Sequence, residues 1–394
     1  MNSIKDIYRI GYGPSSSHTI APARAAKLFL DEFGLLDKYV VELYGSLSLT
    51  GKGHHTDLII QEIFKNRAEF IFDNKFDDER NLMIFKGYKN HKLIATWHAE
   101  SLGGGAIHID EKETDDNLEV YHEPNFEAIK KVLEEKKLNL WEYVLLNEPD
   151  IKEKLSPSFD VMIKSVERGL KNEGILNDKL NVSFHAKGLY EKSLKENDEE
   201  LKIMSYAYAA AEENALGHVV STAPTLGSCG IVASLMYYYF TDRHATKDKL
   251  LESLAVGGVF GNVIKQNASI SGALGGCQAE IGTACAMAAA MICYLEGCDT
   301  NTIEYAAEIG IEHHLGLTCD PVFGLVIIPC IERNAVAIMR SFNAYKLSKN
   351  LMKIGNHLVT FDMVVSSMHY TGKKLSPELK ETSLGGLALE FKNE

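Results

Sequence analysis

Residues 267–298 read NASISGALGGCQAEIGTACAMAAAMICYLEGC, and residues 305–334 read YAAEIGIEHHLGLTCDPVFGLVIIPCIERN. Three cysteines in these stretches stand beside residues that interrupt a helix: Cys277 after two glycines, Cys319 before an Asp-Pro pair and Cys330 after Pro329. Glycine permits unusual backbone angles, and proline removes a hydrogen-bond donor and fixes one dihedral. Such positions place side chains at turns and helix ends, where several elements together can hold a metal centre.

The other cysteines of these stretches have a different setting. Cys285 and Cys293 lie within ACAMAAAMICYL, which predicts a buried helix, and Cys298 follows that helix in a loop. Free cysteine is among the most buried residue types, so we interpret Cys285 and Cys293 as core residues. The same interpretation stays open for the first three cysteines, because no C-x-x-C pair is present and the zinc and ferredoxin spacings do not fit.

Composition indicates a globular protein of two domains. The chain has 394 residues, of which 45% are hydrophobic and 24% charged, and a chain of this length usually divides into two cores. Its net charge of −13 argues against nucleic acid or an anionic membrane surface as a partner. Seven cysteines without a signal peptide favour a reducing, cytoplasmic location. We expect no membrane-spanning helix, because Gln278, Glu280 and Glu296 interrupt the alanine-rich segments.

The periodicity of the sequence changes along the chain and predicts an α+β fold. Residues 1–115 alternate β-like runs with helices at 20–33 and 58–66, which is typical of a small α/β domain. We assign residues 116–145 to a linker and the first helix. Residues 146–394 show helical periodicity and predict an all-helical domain, which contains the cysteines.

Two polar loops of the first domain carry candidate binding residues. The first, at a predicted helix start, contains Ser15, Ser16, Ser17, His18 and Thr19. Hydroxyls and free backbone N–H groups at a helix start suit a carboxylate or phosphate, although a single serine there is ordinarily an N-cap.

The second loop, GSLSLTGKGHHTD, contains Lys52, His54 and His55. It lacks the glycine spacing of a phosphate-binding P-loop, so we reject a nucleotide site. Histidine is the side chain best suited to proton transfer near neutral pH, although one of two adjacent histidines is usually just solvated.

Six sequence blocks together resemble the iron–sulfur L-serine dehydratases, the L-serine ammonia-lyases. These blocks, in the order of that family, are GPSSSHT, YGSLSLTGKGHHTD, TAPTLGSCGIV, NASISGALGGCQAEIGTACAMAAA, EIGIEHHLGLTCDPVFGLVIIPCIERNA and KETSLGGLA. They cover both ends of the chain, and their combination is specific although each block alone is weak. The resemblance implies an N-terminal α/β domain, a helical catalytic domain and conversion of L-serine to pyruvate and ammonia without pyridoxal phosphate.

The resemblance also implies a [4Fe–4S] cluster with Cys277, Cys319 and Cys330 as ligands. Three thiolates leave one iron with an open position, whereas electron-transfer clusters are usually held by four cysteines. An open iron can act as a Lewis acid on the substrate hydroxyl.

The base and the substrate contacts also follow from the resemblance. It points to His18 or His54 for proton transfer, and we prefer His54 to His55 because His54 directly follows Lys52-Gly53. The expected substrate-binding residues are Ser15, Ser16, Ser17, Thr19, Lys52 and Asn267. This assignment requires the first domain to reach the cysteines; otherwise these residues only shape an interdomain loop.

Two departures from the family pattern affect these expectations. Leu226 stands in TAPTLGSCG where the family usually carries Asn, which puts substrate specificity or activity in doubt. The chain ends GGLALEFKNE, without the terminal cysteine that many members place on the open iron. We therefore expect a cluster that is more sensitive to oxygen and a reaction without a tail-release step.

Other functions stay open at this point. A related cluster lyase acting on L-threonine or L-cysteine would keep the same motifs. A cluster-binding sensor would keep the cysteines but tolerate the loss of His18 and His54, and a zinc protein would contain no sulfide. A homodimer is the assembly we consider, although no residue of the sequence argues for it.

Overall fold

The structure, a computed structural model, describes residues 1–73, 81–114 and 118–392. The predicted boundary at residue 115 and the start of the predicted linker at 116–117 lie outside the described residues. Strands in the described part are β1 (Ile10–Tyr12), β2 (Lys38–Leu43), β3 (Ala68–Phe72), β4 (Asn81–Lys89), β5 (Lys92–Gly103), β6 (Ala106–Ile109), β7 (Ile175–Asn177), β8 (Val182–Ser183) and β9 (Val219–Ser221).

A five-stranded sheet forms the first domain, in the order β3-β2-β4-β5-β6. The β2–β3 pair is parallel, and the other pairs are antiparallel. Along β4, residues at alternate positions are buried, as expected for a sheet with one covered face. Helices α1 (Ala21–Phe33) and α3 (Thr56–Ile63) cover it, and the Phe29 ring packs edge-on against the Trp97 ring at 5.2 Å.

Helices dominate the rest of the described chain. Besides α1 and α3, they are α2 (Ser46–Thr50), α4 (Phe126–Lys136), α5 (Leu140–Asn147), α6 (Ile151–Gly169), α7 (Ala186–Glu196), α8 (Glu199–Ala215), α9 (Cys229–Thr241), α10 (Lys247–Asn267), α11 (Gly272–Gly275), α12 (Thr283–Leu295), α13 (Thr300–Glu312), α14 (Cys330–Leu351), α15 (Phe361–Lys374) and α16 (Leu387–Lys392). This helical domain beside a small sheet confirms the predicted α+β fold.

Helix α12 is the centre of the larger core. It packs against α10, α13 and α14, and its residues 283–293 are all buried. Small residues permit this close packing: a Cβ on Gly310 of α13 would lie 2.8 Å from the Cα of Ala286. Cys285 and Cys293 lie in this core, as predicted from their setting.

One segment, Gln278–Leu295, is long and apolar enough to cross a membrane by length and composition, with a mean hydropathy of 1.3. We expected the polar residues Gln278, Glu280 and Glu296 to rule out any segment that could span a membrane. By length and composition alone this expectation is wrong. In the fold, 83% of the segment is buried inside the protein, so its apolar side chains form part of the core.

The first residues of the chain belong to the larger core. Ile4, Ile7 and Tyr8 are buried among the helices, and the Tyr8 hydroxyl donates to the Leu254 carbonyl at 2.7 Å. Strand β1 pairs with β9, which follows α8. The chain therefore starts on the helical domain and then enters the sheet domain.

Three short strands lie in the region that we predicted to be all helical. Strands β7 and β8 form a two-stranded ribbon between α6 and α7. Strand β9 exists because it hydrogen-bonds to β1, more than two hundred residues earlier in the chain. Helical periodicity of the flanking sequence cannot reveal such pairing, since the partner is distant.

The buried carboxyl of Glu212 in α8 gives a stability prediction. It accepts hydrogen bonds from the backbone N–H groups of His185 and Ala186, at 2.7 and 3.3 Å. Burial raises its pKa to about 7. The folded state then holds a proton that the unfolded state releases above its ordinary pKa, so stability should fall as the pH rises from about 4.5 to about 7.

The Glu212→Gln variant keeps an acceptor for these N–H groups but does not titrate. We expect wild type and variant to have similar free energies of unfolding at pH 4.5. At pH 8 the variant should be more stable by up to about 3 kcal/mol. Urea unfolding across this range measures the difference. Glu213→Gln is the contrasting variant, since Glu213 pairs with Arg168 at 2.6 Å and its loss should destabilise. A difference between Glu212→Gln and wild type that is independent of pH would contradict the prediction.

Candidate active site

Two cysteines and a carboxylate converge where α11 and α12 meet the loop before α14. The Sγ atoms of Cys277 and Cys319 each lie 3.9 Å from Oε2 of Glu280. Cys277 precedes a π-helical turn, Gln278–Gly282, which runs into α12. Such turns are frequent at functional sites because they redirect a helix side chain. A Cβ on Gly272 would lie 2.7 Å from Oε2 of Glu280, so glycine at this position makes room for the carboxylate.

Cys330 joins this set through the start of α14. Burial raises the pKa of its thiol well above the ordinary value, and the neighbouring charges of Cys277, Glu280 and Glu381 add to the shift. The hydrogen bond to Cys277, with burial, raises the pKa of Cys319 in the same way. We call Cys277, Cys319, Cys330 and Glu280 the cysteine group.

Arg333 supplies the positive charge beside the cysteine group. Its guanidinium donates to the Thr318 carbonyl at 2.6 Å and lies 3.4 Å from a carboxylate oxygen of Asp320. Although burial lowers its pKa, the nearby thiols raise it overall, so the side chain is a permanent cation. A fixed cation favours thiolate over thiol at neighbouring cysteines.

The serine loop surrounds a buried histidine. The Ser15 side chain caps a π-helical turn, Ser16–Ile20, by accepting from the His18 backbone N–H. His18 Nδ1 lies 2.8 Å from Ser17 Oγ, and Nε2 lies 2.9 Å from Ser46 Oγ and 3.0 Å from Thr50 Oγ1. Burial lowers the pKa of His18 to about 4, so its imidazole is neutral at pH 7.

His54 lies against His18, with ring centroids 4.6 Å apart. Its side chain is fully buried, and neither ring nitrogen has a hydrogen-bond partner among the described residues. Burial lowers its pKa well below the ordinary value, and the charges of His18 and His55 contribute. Buried polar groups are nearly always hydrogen-bonded, so an imidazole with two unpartnered nitrogens indicates a place for a ligand.

Glu381 connects the two halves of the site, and the sequence analysis missed it. Its Oε1 lies 3.5 Å from His18 Nδ1, while Oε2 has no hydrogen-bond partner among the described residues. Burial raises the pKa of this carboxyl well above its usual range, and the charges of Glu280 and Cys277 raise it further. We call His18, His54 and Glu381 the histidine group; one ligand atom from each lies within 4.8 Å of the others.

The backbone around Glu381 is attached to the cysteine loop. The Cys319 N–H donates to the Leu379 carbonyl at 2.8 Å, and the Glu381 N–H donates to the Cys319 carbonyl at 2.7 Å. Ser46 Oγ of the first domain donates to the Glu381 carbonyl at 3.0 Å. The signal available in the sequence was the KETSLGGLA block, which we used for the resemblance but not for a site residue.

The first domain contacts the loop between Cys319 and Cys330 of the helical domain. A Cβ on Gly53 would lie 2.9 Å from the Gly324 carbonyl oxygen of the helical domain. Thr50 of the first domain lies beside the same glycine: a Cβ on Gly324 would lie 3.5 Å from the Cβ of Thr50. Contact at this distance is possible only because Gly53 has no side chain.

Several other predicted residues have different surroundings. Lys52 is exposed, with its ammonium 4.9 Å from the centre of the Phe72 ring. Asn267 is exposed at the end of α10 and donates to the Pro124 and Val263 carbonyls. Among the described residues, neither side chain forms a hydrogen bond or ion pair with the cysteine group or the histidine group.

The remaining predicted residues lie around the histidine group. Ser16 is buried in the serine loop, and Thr19 Oγ1 donates to the His54 carbonyl at 2.9 Å. His55 is exposed, which agrees with the preference for His54. Leu226 is fully buried and packs with Ile20 and Val220, next to the serine loop.

Comparison with known proteins identifies the family. The serine dehydratase alpha chain model matches residues 107–388, and the serine dehydratase beta chain model matches residues 3–62. The chain therefore belongs to the serine dehydratase family and carries the alpha and beta regions on one polypeptide.

Similar proteins span the whole chain. L-serine dehydratase 2 of Escherichia coli strain K12 is 35% identical, with 99% of each chain covered. The L-serine dehydratase of Streptomyces coelicolor is 36% identical, also with 99% of each chain covered. The L-serine dehydratase of Helicobacter pylori strain 26695 is 35% identical over the same shares.

The contact at Gly53 gives a second prediction. Gly53→Ala should lower the free energy of unfolding by about 1–3 kcal/mol, because the new methyl group overlaps the Gly324 backbone. Gly188→Ala is the matched control: its Cβ meets nothing within 4 Å, and alanine in an exposed helix should stabilise by about 0.5–1 kcal/mol. Urea unfolding measures both. Equal effects of the two substitutions would contradict a close domain contact at Gly53.

Proposed function

We propose that this protein eliminates water from L-serine and releases pyruvate and ammonia, and that a [4Fe–4S] cluster held by Cys277, Cys319 and Cys330 assists the reaction. The observation that carries the proposal is the convergence of the cysteine group with a buried, unpartnered His54, connected through Glu381. Family membership and the names of the similar proteins support the substrate.

The cysteine group fits such a cluster chemically. Thiolates are the preferred ligands of iron–sulfur clusters. Burial and mutual proximity raise the thiol pKa values of Cys319 and Cys330, and a bound cationic metal would relieve this by favouring the thiolates. When bound, a cluster with three protein ligands supplies an open iron that acts as a Lewis acid on the substrate hydroxyl. The proposal involves no pyridoxal phosphate.

We assign proton abstraction from the α-carbon to His54. A base must be unprotonated and must have a free nitrogen. Burial keeps His54 neutral, and neither of its ring nitrogens has a hydrogen-bond partner in the described part of the chain. In contrast, the ring nitrogens of His18 lie within hydrogen-bond distance of Ser17 and Ser46. His18 is therefore better placed as a positioning residue that connects Ser17 and Ser46, and Glu381 fixes the orientation of its ring.

The proposed reaction is balanced by these groups. His54 takes the α-proton, the electron pair of that C–H bond forms the Cα–Cβ double bond, and the β-hydroxyl leaves as water with the proton that His54 has taken, which returns His54 to its neutral form. The resulting aminoacrylate tautomerises to an imine, which water hydrolyses to pyruvate and ammonia. The Thr19 hydroxyl donates to the His54 carbonyl and so orients the base, while the buried hydroxyls of Ser15, Ser16 and Ser17 would bind the substrate carboxylate.

The proposal includes a cytoplasmic location, which agrees with seven free cysteines. It also includes a homodimer, which analytical ultracentrifugation would test. Steady-state rates with L-serine, L-threonine and L-cysteine distinguish the proposed activity from that of a related lyase. A cluster without turnover of any of the three would instead favour the sensor.

The cysteine assignment predicts which thiols are needed. After anaerobic reconstitution with iron and sulfide, Cys277→Ala, Cys319→Ala and Cys330→Ala should each lose most bound iron and sulfide and nearly all pyruvate formation from L-serine. Cys293→Ala is the control, because Cys293 lies in the core beside Ser348, and it should keep both. A Cys319→Ala variant that keeps its full content of iron and sulfide would contradict the assignment. If the wild-type protein holds iron or zinc but no sulfide, the cysteines form a simple metal site and not a cluster.

The base assignment predicts a contrast between adjacent histidines. His54→Gln should lower kcat at least about a hundredfold, since general base catalysis contributes about this much or more, while its iron and sulfide content stays unchanged. His55→Gln should keep nearly full activity, because His55 is exposed. Pyruvate formation and metal content of the reconstituted variants test this, and similar kcat losses in both variants would refute the role of His54.

A further inference from the structure

A cavity of about 240 Å³ lies outside the two groups of the site. Its walls come from α11, the π-helical turn after Cys277, helix α15 and the segment that leads to Glu381. Neither His18, His54 nor any cysteine lines it. The cavity is therefore a separate space, which the proposed reaction does not use.

Lys380 is the unusual residue of this cavity. It is only 8% exposed, yet its ammonium forms no hydrogen bond or ion pair with any other described residue. Its backbone N–H donates to the Pro377 carbonyl. Lysine is almost never buried to this extent without a partner, and an anion or acceptor in the cavity would stabilise its ammonium.

The other residues that line the cavity also suit an anion. Lys373 and His369 of α15 add positive or potentially positive charge, and Ser269 adds a hydroxyl. No aspartate or glutamate lines the cavity. Leu274 and Met368 form an apolar wall, so the space suits a compact anion with a small apolar part better than a fully hydrated ion.

The cavity shares two pieces of backbone with the active site. Gly275 and Gln278 line it on either side of Cys277, and Lys380 directly precedes Glu381. Both neighbours of Lys380, Leu379 and Glu381, are hydrogen-bonded to the Cys319 backbone. A ligand on Lys380 would therefore act on the segment that positions Glu381.

We propose that this cavity binds a compact anion, a short carboxylate or phosphate, between Lys380 and Lys373. A short carboxylate and a phosphate would bind in the same way, with a small anionic group between the two ammonium groups. The apolar wall of Leu274 and Met368 favours the carboxylate. Such a site lies next to the active centre and can be occupied without blocking it.

The test is calorimetric titration of the anaerobically reconstituted protein with acetate, with inorganic phosphate and with neutral acetamide. We expect saturable binding of at least one anion and none of acetamide. Lys373→Gln should weaken anion binding by about threefold to tenfold, as expected for the loss of one partly exposed charge. Lys374→Gln is the matched control: Lys374 lies on the same helix, with its ammonium 5.7 Å from the Tyr370 ring, and it should bind like wild type.

A second variant separates binding from folding. Lys380→Met should abolish binding, whereas its melting temperature without anion should equal or exceed that of wild type, because the unpartnered charge is gone. Acetate binding alone would identify the carboxylate as the ligand, and phosphate binding alone the phosphate.

Absence of anion binding to wild type, or equal binding by the Lys373→Gln and Lys374→Gln variants, would overturn the proposal. His54→Gln should bind the anion like wild type. That result separates this site from the proposed reaction, since the variant lacks the base but keeps the cavity.

Discussion

The pair of backbone hydrogen bonds between Cys319 and residues 379–381 joins every part of the site. One bond runs from the Cys319 N–H to the Leu379 carbonyl, and the other from the Glu381 N–H to the Cys319 carbonyl. Through them the segment near the end of the chain is fixed to a cysteine loop in the helical domain. Ser46 of the sheet domain donates to the Glu381 carbonyl, so three distant parts of the sequence meet at one residue. Any displacement of this segment would change the cysteine group and the histidine group together.

Burial sets the charge state of the groups that meet there. Removing an imidazole from water penalises its cationic form, and the same effect penalises a carboxylate or thiolate. The pKa of His18 therefore falls to about 4, while those of Glu381 and Cys319 rise. These shifts favour the neutral forms of His18, Glu381 and Cys319, beside the permanent cation of Arg333. Burial thus keeps the imidazole unprotonated, and a bound cationic metal would favour the thiolate form of the cysteines.

Close backbone packing makes this arrangement possible. Gly272 allows the Glu280 carboxylate to approach α11, and Gly53 allows the first domain to contact the Gly324 backbone. In the core, Gly310 allows α13 to approach α12. Each of these contacts is shorter than a side chain would permit, which explains why glycines are frequent in the sequence stretches that form the site.

The sequence by itself determined the α+β fold and the buried helix around Cys285 and Cys293, and it marked Cys277, Cys319 and Cys330 as candidate ligands by the glycine or proline beside each. These features follow from local periodicity and from glycine or proline next to a cysteine, which are readable within a few residues. Only the tertiary structure decided that Glu381 and Glu280 belong to the site, that Lys52 and Asn267 have other partners, and that β9 pairs with β1. The physical reason is that burial and hydrogen bonding join residues hundreds of positions apart, and local patterns carry no information about such contacts.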